Sequence, residues 1–181
     1  PGEDGKLAAV LAGMGDDAPL WAAGSLAPKL PEGLYRLADL WDADDATDIA
    51  AGFALGGYTF GRYKTVEAPK ARLSWPMAAN REVAAAIAEG VSLARDLINT
   101  PANDMGPEEL CAAARSLAEQ HGAEVSELAG DELLANNYPT IHMVGRAGAR
   151  APRLVDIRWG DASAPKVTLV GKGVCFDSGG L

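Results

Sequence analysis

Between residues 44 and 135, apolar side chains recur every three to four positions, which is the spacing of helices with one buried face. Asp44 or Asp45 is a suitable N-terminal cap for the first of these helices, and Asn80 for the second and clearest one. That second helix must end close to Pro101, because the residue before a proline avoids the helical region. The pattern predicts helices over residues 44–56, 80–99, 107–122 and 131–135.

Short runs rich in β-branched or aromatic residues lie between and after these helices, and they indicate strands. The predicted strands cover residues 71–75, 123–128, 153–159 and 167–170. Helices that alternate with strands of this length indicate an α/β fold with a sheet covered on its faces. In the second half of the chain we expect the sheet to end at Val170.

The domain organisation follows from the long helix between two turn-rich blocks. We predict an N-terminal α/β domain over residues 1–76, a connecting helix within 77–99, and the first part of a second α/β domain, with a mixed sheet, over 100–181. The chain begins without methionine and ends inside a glycine-rich loop. We therefore expect it to be a segment of a longer protein.

Charge and composition narrow the possible classes of function. The formal net charge of −9 argues against nucleic-acid binding. No run of eighteen apolar residues and no signal sequence is present, so we expect a soluble, cytoplasmic protein with no membrane contact. Cys111 and Cys175 lack paired spacing, which suits a reducing compartment, and both are expected to be small buried hydrophobes. We expect His121 to be solvated and His142 to be a hydrogen-bonded core residue.

The candidate chemistry lies in residues 166–180, where the predicted strand leads to Lys172 and Asp177 among four glycines. Ligands bind at the carboxyl ends of strands in open α/β sheets. The two residues are five positions apart, so a straight strand would point them to opposite faces. Gly171 and Gly173 permit the change of direction that would let them converge.

Three interpretations of this segment stay open from the residues alone. A phosphate-binding loop fits poorly, because Gly171-Lys172 is followed by glycine rather than by a hydroxyl residue. A purely structural interpretation leaves Lys172 solvated and Asp177 in a turn or a helix cap. In a metal site, Asp177 would bind a divalent cation and an uncharged Lys172 would add a nitrogen, an uncommon ligand because its proton must leave first.

Two motifs carry a resemblance to a known family. The string VGKGVCFDSGGL, residues 170–181, resembles the signature that opens the active site of leucyl (cytosol) aminopeptidases. The string RDLINTPANDMGPEEL, residues 95–110, is similar to the segment that joins the family's linker helix to its catalytic domain. PTIHMVGRAGARAPRLVDIRW and GGYTFGRYK are weaker matches. The resemblance extends over residues 45–181 and is most specific in the last third.

The resemblance implies a two-metal exopeptidase that releases leucine and other apolar residues from the N-termini of peptides. By position, Lys172 matches the lysine that ligates one metal, and Asp177 matches the aspartate that contacts both. It also implies manganese or zinc as the two divalent ions and a homo-hexamer for the full-length protein. The other ligands and the catalytic groups are not in the chain, so we expect the 181-residue chain itself to be inactive. The alternative is a non-catalytic aminopeptidase-like scaffold or DNA-binding regulator.

Overall fold

A computed structural model describes residues 7–175, and the chain divides into two compact units, one up to Asp96 and one from Leu97. Helices alternate with short strands in both units, so the predicted α/β class is confirmed. No helix within the described range is long and apolar enough to cross a membrane. In chain order the elements are α1 (Pro19–Gly24), β1 (Gly33–Tyr35), α2 (Ala43–Gly56), β2 (Ala71–Leu73), α3 (Arg81–Asn99), α4 (Pro107–Gln120), β3 (Glu124–Ala129), α5 (Glu132–Ala135), α6 (Pro139–Gly145) and β4 (Arg153–Arg158).

The first unit is organised around the contact between α1 and α2. Gly52 and Gly56 lie one helical turn apart on α2, and the backbone of α1 packs directly onto both. Behind this contact, Phe53 is buried with Ala27 and Ala71, and β1 pairs in parallel with β2. Small residues at the contact therefore allow a short helix to bury apolar surface that it could not bury alone.

The N-terminal caps of α2 and α3 can be compared with the predicted ones. The cap of α2 is Asp42, whose Oδ1 accepts a hydrogen bond from the Asp45 backbone N–H at 2.8 Å. The prediction of Asp44 or Asp45 was therefore wrong; both lie in the first turn, where the helix dipole favours an acid. The prediction of Asn80 is confirmed, because its Oδ1 accepts from the Val83 N–H at 3.2 Å.

In the second unit, α4 packs against an antiparallel pair of strands, β3 and β4. Their register runs from Glu124 opposite Arg158 to Ala129 opposite Arg153. The short helices α5 and α6 follow β3, and α6 was not predicted. Its sequence, PTIHMVG, combines β-branched residues with a terminal glycine, and these mask a helical signal.

The predicted strand over residues 167–170 is wrong. These residues are neither strand nor helix, and the side chains of Val167, Leu169 and Val170 are 84%, 92% and 92% exposed. An apolar run of this kind is typical of a strand with a neighbour on each side and both faces covered. No strand within residues 7–175 pairs with it, so the hydrogen bonds that define a strand are not made.

Candidate functional site

Lys172 lies two residues after Val170, in a segment that is neither helix nor strand, and is exposed to solvent. Its side chain makes no hydrogen bond and no ion pair with any other residue in the described range. Asp177, the second predicted ligand, lies outside the described residues. Whether the two side chains converge therefore stays a prediction.

The segment that follows Lys172 lies against the first turn of α4. A Cβ atom built on Gly173 would be 3.9 Å from Leu110 Cδ2, an ordinary van der Waals contact. Cys175 is partly buried. Burial raises the pKa of its thiol and the Glu109 carboxylate raises it further, whereas the Arg150 charge opposes both. Gly173 and Cys175 thus lie near the first turn of this helix.

Arg150 and Glu109 organise that helix N-terminus. The Arg150 guanidinium donates to Glu109 Oε2 at 2.8 Å and to the Asn103 carbonyl oxygen at 2.6 Å. Glu109 Oε2 also accepts from the Gly106 backbone N–H at 2.9 Å, as the third residue of a helix commonly does for its cap. A Cβ atom on Gly106 would lie 2.3 Å from Arg150 Nη1, so this close approach requires glycine unless the arginine moves.

The electrostatics agree with this geometry. Hydrogen bonds from the backbone N–H groups of Glu109 and Gly106, together with the charges of Arg150 and Arg153, hold the pKa of the Glu109 carboxyl below its usual value against a smaller opposing effect of desolvation. From sequence, Glu109 is recognisable only as an acid at the positive end of a helix. Its pairing with Arg150 joins residues 41 positions apart, and no local pattern indicates it.

A second charged cluster holds α4 to the sheet. The Glu127 carboxylate on β3 binds both Arg115 of α4 and Arg153 of β4, and Glu108 lies 3.7 Å from Arg153. Cys111 lies next to this cluster and is 4% exposed, which confirms its predicted burial. Burial, followed by the Glu127 charge, raises the pKa of the Cys111 thiol. This thiol is therefore a packing group in the interior of the unit.

Among the described residues, neither histidine belongs to a group that could bind a metal ion. His142 Nε2 lies 3.3 Å from Asp131 Oδ1 and the side chain is largely buried, whereas His121 is exposed as predicted. Across residues 7–175, no group of three or more His, Cys, Asp and Glu side chains could hold a metal ion. Lys172 and Asp177 together offer one nitrogen and one carboxylate. That is a chemically suitable but incomplete donor set for a divalent cation.

Comparison with known proteins identifies the family to which the chain belongs. Residues 1–76 match the M17 aminopeptidase N-terminal domain, and residues 92–181 match the catalytic domain of the cytosol aminopeptidase family. The second match includes both Lys172 and Asp177. The chain therefore belongs to the cytosol aminopeptidase family.

Individual relatives agree. A probable cytosol aminopeptidase of Streptomyces avermitilis is 38% identical over 156 residues, which cover 77% of this chain and 30% of that protein. The crystal structure of the Coxiella burnetii cytosol aminopeptidase superposes with a TM-score of 0.82 at 42% identity, covering 91% of this chain and 36% of that one. The bottromycin maturation enzyme BotP, in complex with Mn, gives a TM-score of 0.72 at 26% identity, covering 90% and 38%. The chain thus spans only 30% to 38% of the lengths of these proteins.

Proposed function

We propose that this chain is part of a metal-dependent aminopeptidase that releases N-terminal amino acids, preferentially leucine and other apolar residues, from peptides in the cytoplasm. The observation that carries the proposal is the match of residues 92–181 to the family's catalytic domain, with Lys172 and Asp177 inside it. The proposed division is an N-terminal domain over 1–76, a connecting helix within 77–99 and the start of the catalytic domain over 100–181. The complete protein is proposed to be a homo-hexamer.

The proposed cofactors are two divalent metal ions, manganese or zinc. The Mn complex of the 26% identical BotP supports manganese. When bound, such ions activate water and polarise the scissile carbonyl. Asp177 would contribute a carboxylate to hold these ions, and Lys172 would contribute its amine after losing a proton. The support for this role is the position of Lys172 within the matched catalytic domain, since an exposed lysine is also what a purely structural interpretation expects. No residue of this chain is proposed to act on the substrate directly.

Variants of the complete protein test this assignment. Lys172→Arg keeps the charge, but a guanidinium has no lone pair to offer a metal. We expect it, like Asp177→Ala, to lower hydrolysis of a leucyl anilide by more than about 100-fold and to reduce bound metal, since even indirect partners of metal ligands commonly contribute 10- to 100-fold. Lys166→Arg is the matched control, because Lys166 is an exposed lysine in the same segment without helix or strand. A Lys172→Arg protein with normal activity and full metal content would refute the assignment.

The 181-residue chain itself is proposed to be inactive, because two ligands cannot complete two metal sites. Purified chain incubated with excess manganese or zinc should not hydrolyse a leucyl anilide. Turnover that a chelator abolishes would show that the active site lies elsewhere in the chain. No feature of residues 7–175 favours the alternative of a scaffold or a DNA-binding regulator, and we do not propose it.

A further inference from the structure

The helix α3 is fixed to the rest of the first unit at its start. The backbone N–H of its cap, Asn80, donates a hydrogen bond to Thr47 Oγ1 of α2 at 2.9 Å. One turn later, Ala84 is 1% exposed and packs with Ala50 and Ala51 of α2. The structure describes every residue of α3, and Ala84 is the only buried one. Burial of apolar side chains therefore holds the first turns of the helix and leaves its last turns to other contacts.

Polar contacts bind the other end of α3 to the end of α2. The Arg95 guanidinium donates from Nη1 to the Leu55 carbonyl oxygen at 3.0 Å and lies over the Tyr58 ring, 5.3 Å from its centroid. The Tyr58 hydroxyl donates to Asp96 Oδ1 at 2.7 Å. Leu55 is in the last turn of α2, where carbonyl groups lack their usual partners within the helix and the helix dipole favours a cation. Arg95 thus supplies both a hydrogen bond and a positive charge to that end.

These contacts join two segments that are far apart in the sequence. Tyr58 lies in GGYTFGRYK, and Arg95 and Asp96 begin RDLINTPANDMGPEEL; both segments are part of the family resemblance and lie away from the proposed metal ligands. Asp96 is also the last residue of the first unit. The contacts are therefore made at the point where the chain leaves this unit.

We propose that Tyr58, Arg95 and Asp96 form a clasp that holds the C-terminal turns of α3 on the first unit. With the clasp closed, α3 is a fixed part of that unit as far as Asp96 and is not a free linker. Opening the clasp frees the last turns of α3 while the rest of the unit stays folded. Arginine suits this role because one planar guanidinium donates to a carbonyl and stacks on a ring at the same time. The inference goes beyond the proposed function and needs neither metal nor substrate.

Hydrogen exchange of the 181-residue chain, followed by mass spectrometry, measures how often the end of α3 opens. Arg95→Met removes the hydrogen bond and the stacked charge but keeps an unbranched side chain of similar helix propensity. We expect it to accelerate exchange of the backbone amides of residues 92–99 by about tenfold. Tyr58→Phe removes only the hydroxyl and keeps the stacked ring. Because Asp96 is exposed, we expect this variant to accelerate exchange less, by about threefold.

Arg81→Met is the matched control, because it removes the same kind of ring contact from the other end of the same helix. The Arg81 guanidinium lies over the Trp75 ring, 5.7 Å from its centroid. This variant should leave exchange of residues 92–99 unchanged. Amides in the middle of α2 and in α4 report whether either unit opens as a whole. We expect neither set to change in the clasp variants.

Three results would overturn the proposal. The first is unchanged exchange of residues 92–99 in both Arg95→Met and Tyr58→Phe. The second is an equal acceleration by Arg81→Met, which would make the effect a general property of the helix. The third is an equal acceleration of the α2 amides in Tyr58→Phe, which would assign the effect to overall stability. If Arg95→Met opens the whole unit, Tyr58→Phe decides, because it removes a single exposed hydrogen bond.

Discussion

The contact between α1 and α2 makes a sharp prediction about stability. A Cβ atom at Gly52 would lie 2.0 Å from the Leu20 carbonyl oxygen and 2.8 Å from its carbonyl carbon. Both atoms belong to the backbone, so no rotation of a side chain can relieve the overlap. The Gly52→Ala substitution must therefore displace α1 by roughly 1 Å or more, because carbon and oxygen atoms normally approach no closer than about 3 Å.

The cost can be estimated from what α1 loses. Overpacking of a well-packed contact costs about 1–3 kcal/mol, and partial exposure of Leu20 adds up to about 2 kcal/mol. The higher helix propensity of alanine stabilises the folded state by about 1 kcal/mol, which offsets part of this cost. The sum is about 0–4 kcal/mol, and we expect a net loss of about 2 kcal/mol in the free energy of unfolding. With a urea dependence of about 1–3 kcal/mol per molar, the unfolding midpoint should fall by about 1 M or more.

The matched control is Gly90→Ala on α3. No heavy atom lies within 4 Å of its Cβ position, so only the helix propensity changes and stability should rise by about 1 kcal/mol. Urea titrations followed by circular dichroism would compare wild type with both variants. The two substitutions are chemically identical and lie in neighbouring helices of the first unit. A Gly52→Ala midpoint equal to or above that of wild type would refute the packing argument.

Three further predictions concern caps and charges. Asp42→Ala removes the side-chain cap of α2 and should cost about 1 kcal/mol in thermal or urea unfolding. Glu127→Ala leaves two arginines without their shared carboxylate and should cost about 2 kcal/mol, with Glu127→Gln intermediate. The pKa of Glu109 is lowered by folding, so its contribution to stability is complete above the ordinary pKa of glutamate and is lost as pH falls through the folded value. The stability difference between wild type and Glu109→Gln should therefore shrink on acidification; a difference independent of pH would contradict the electrostatic assignment.

The helices were predictable because their signals are local. Asn80 accepts the hydrogen bond expected of a cap, and Pro107 occupies the first turn of α4 where its missing N–H is harmless. The strands next to them, β2, β3 and β4, were also found to within two residues at each end. The cap of α2 was misplaced because three nearby aspartates, Asp42, Asp44 and Asp45, all satisfy the same local rule. Only the backbone conformation of Asp42 decides among them.

The failure over residues 167–170 has a different origin. Amino-acid composition indicates whether a segment could form a buried strand. The strand forms only when a neighbouring strand supplies hydrogen bonds. Val167, Leu169 and Val170 have the composition, and no described strand supplies the hydrogen bonds. The same limit explains why the pairing of Glu124 with Arg158 could not be predicted, since it depends on where the chain returns after two short helices.

In the candidate site too, some features could be predicted from the sequence and others could not. Lys172 and Asp177 could be proposed as metal ligands from sequence, because both stand at fixed places in a motif that resembles the family's signature. The contacts at the N-terminus of α4 could not be predicted, because Arg150 meets Glu109 and the Asn103 carbonyl only after the chain has passed through α4, β3, α5 and α6. Other residues can make a tertiary contact of the same geometry, so such a contact leaves no short sequence motif. Contacts between residues far apart in the chain, such as that of Arg150 with Glu109, are therefore found only from the tertiary structure, whereas the proposed ligands stand in a motif that the sequence alone reveals.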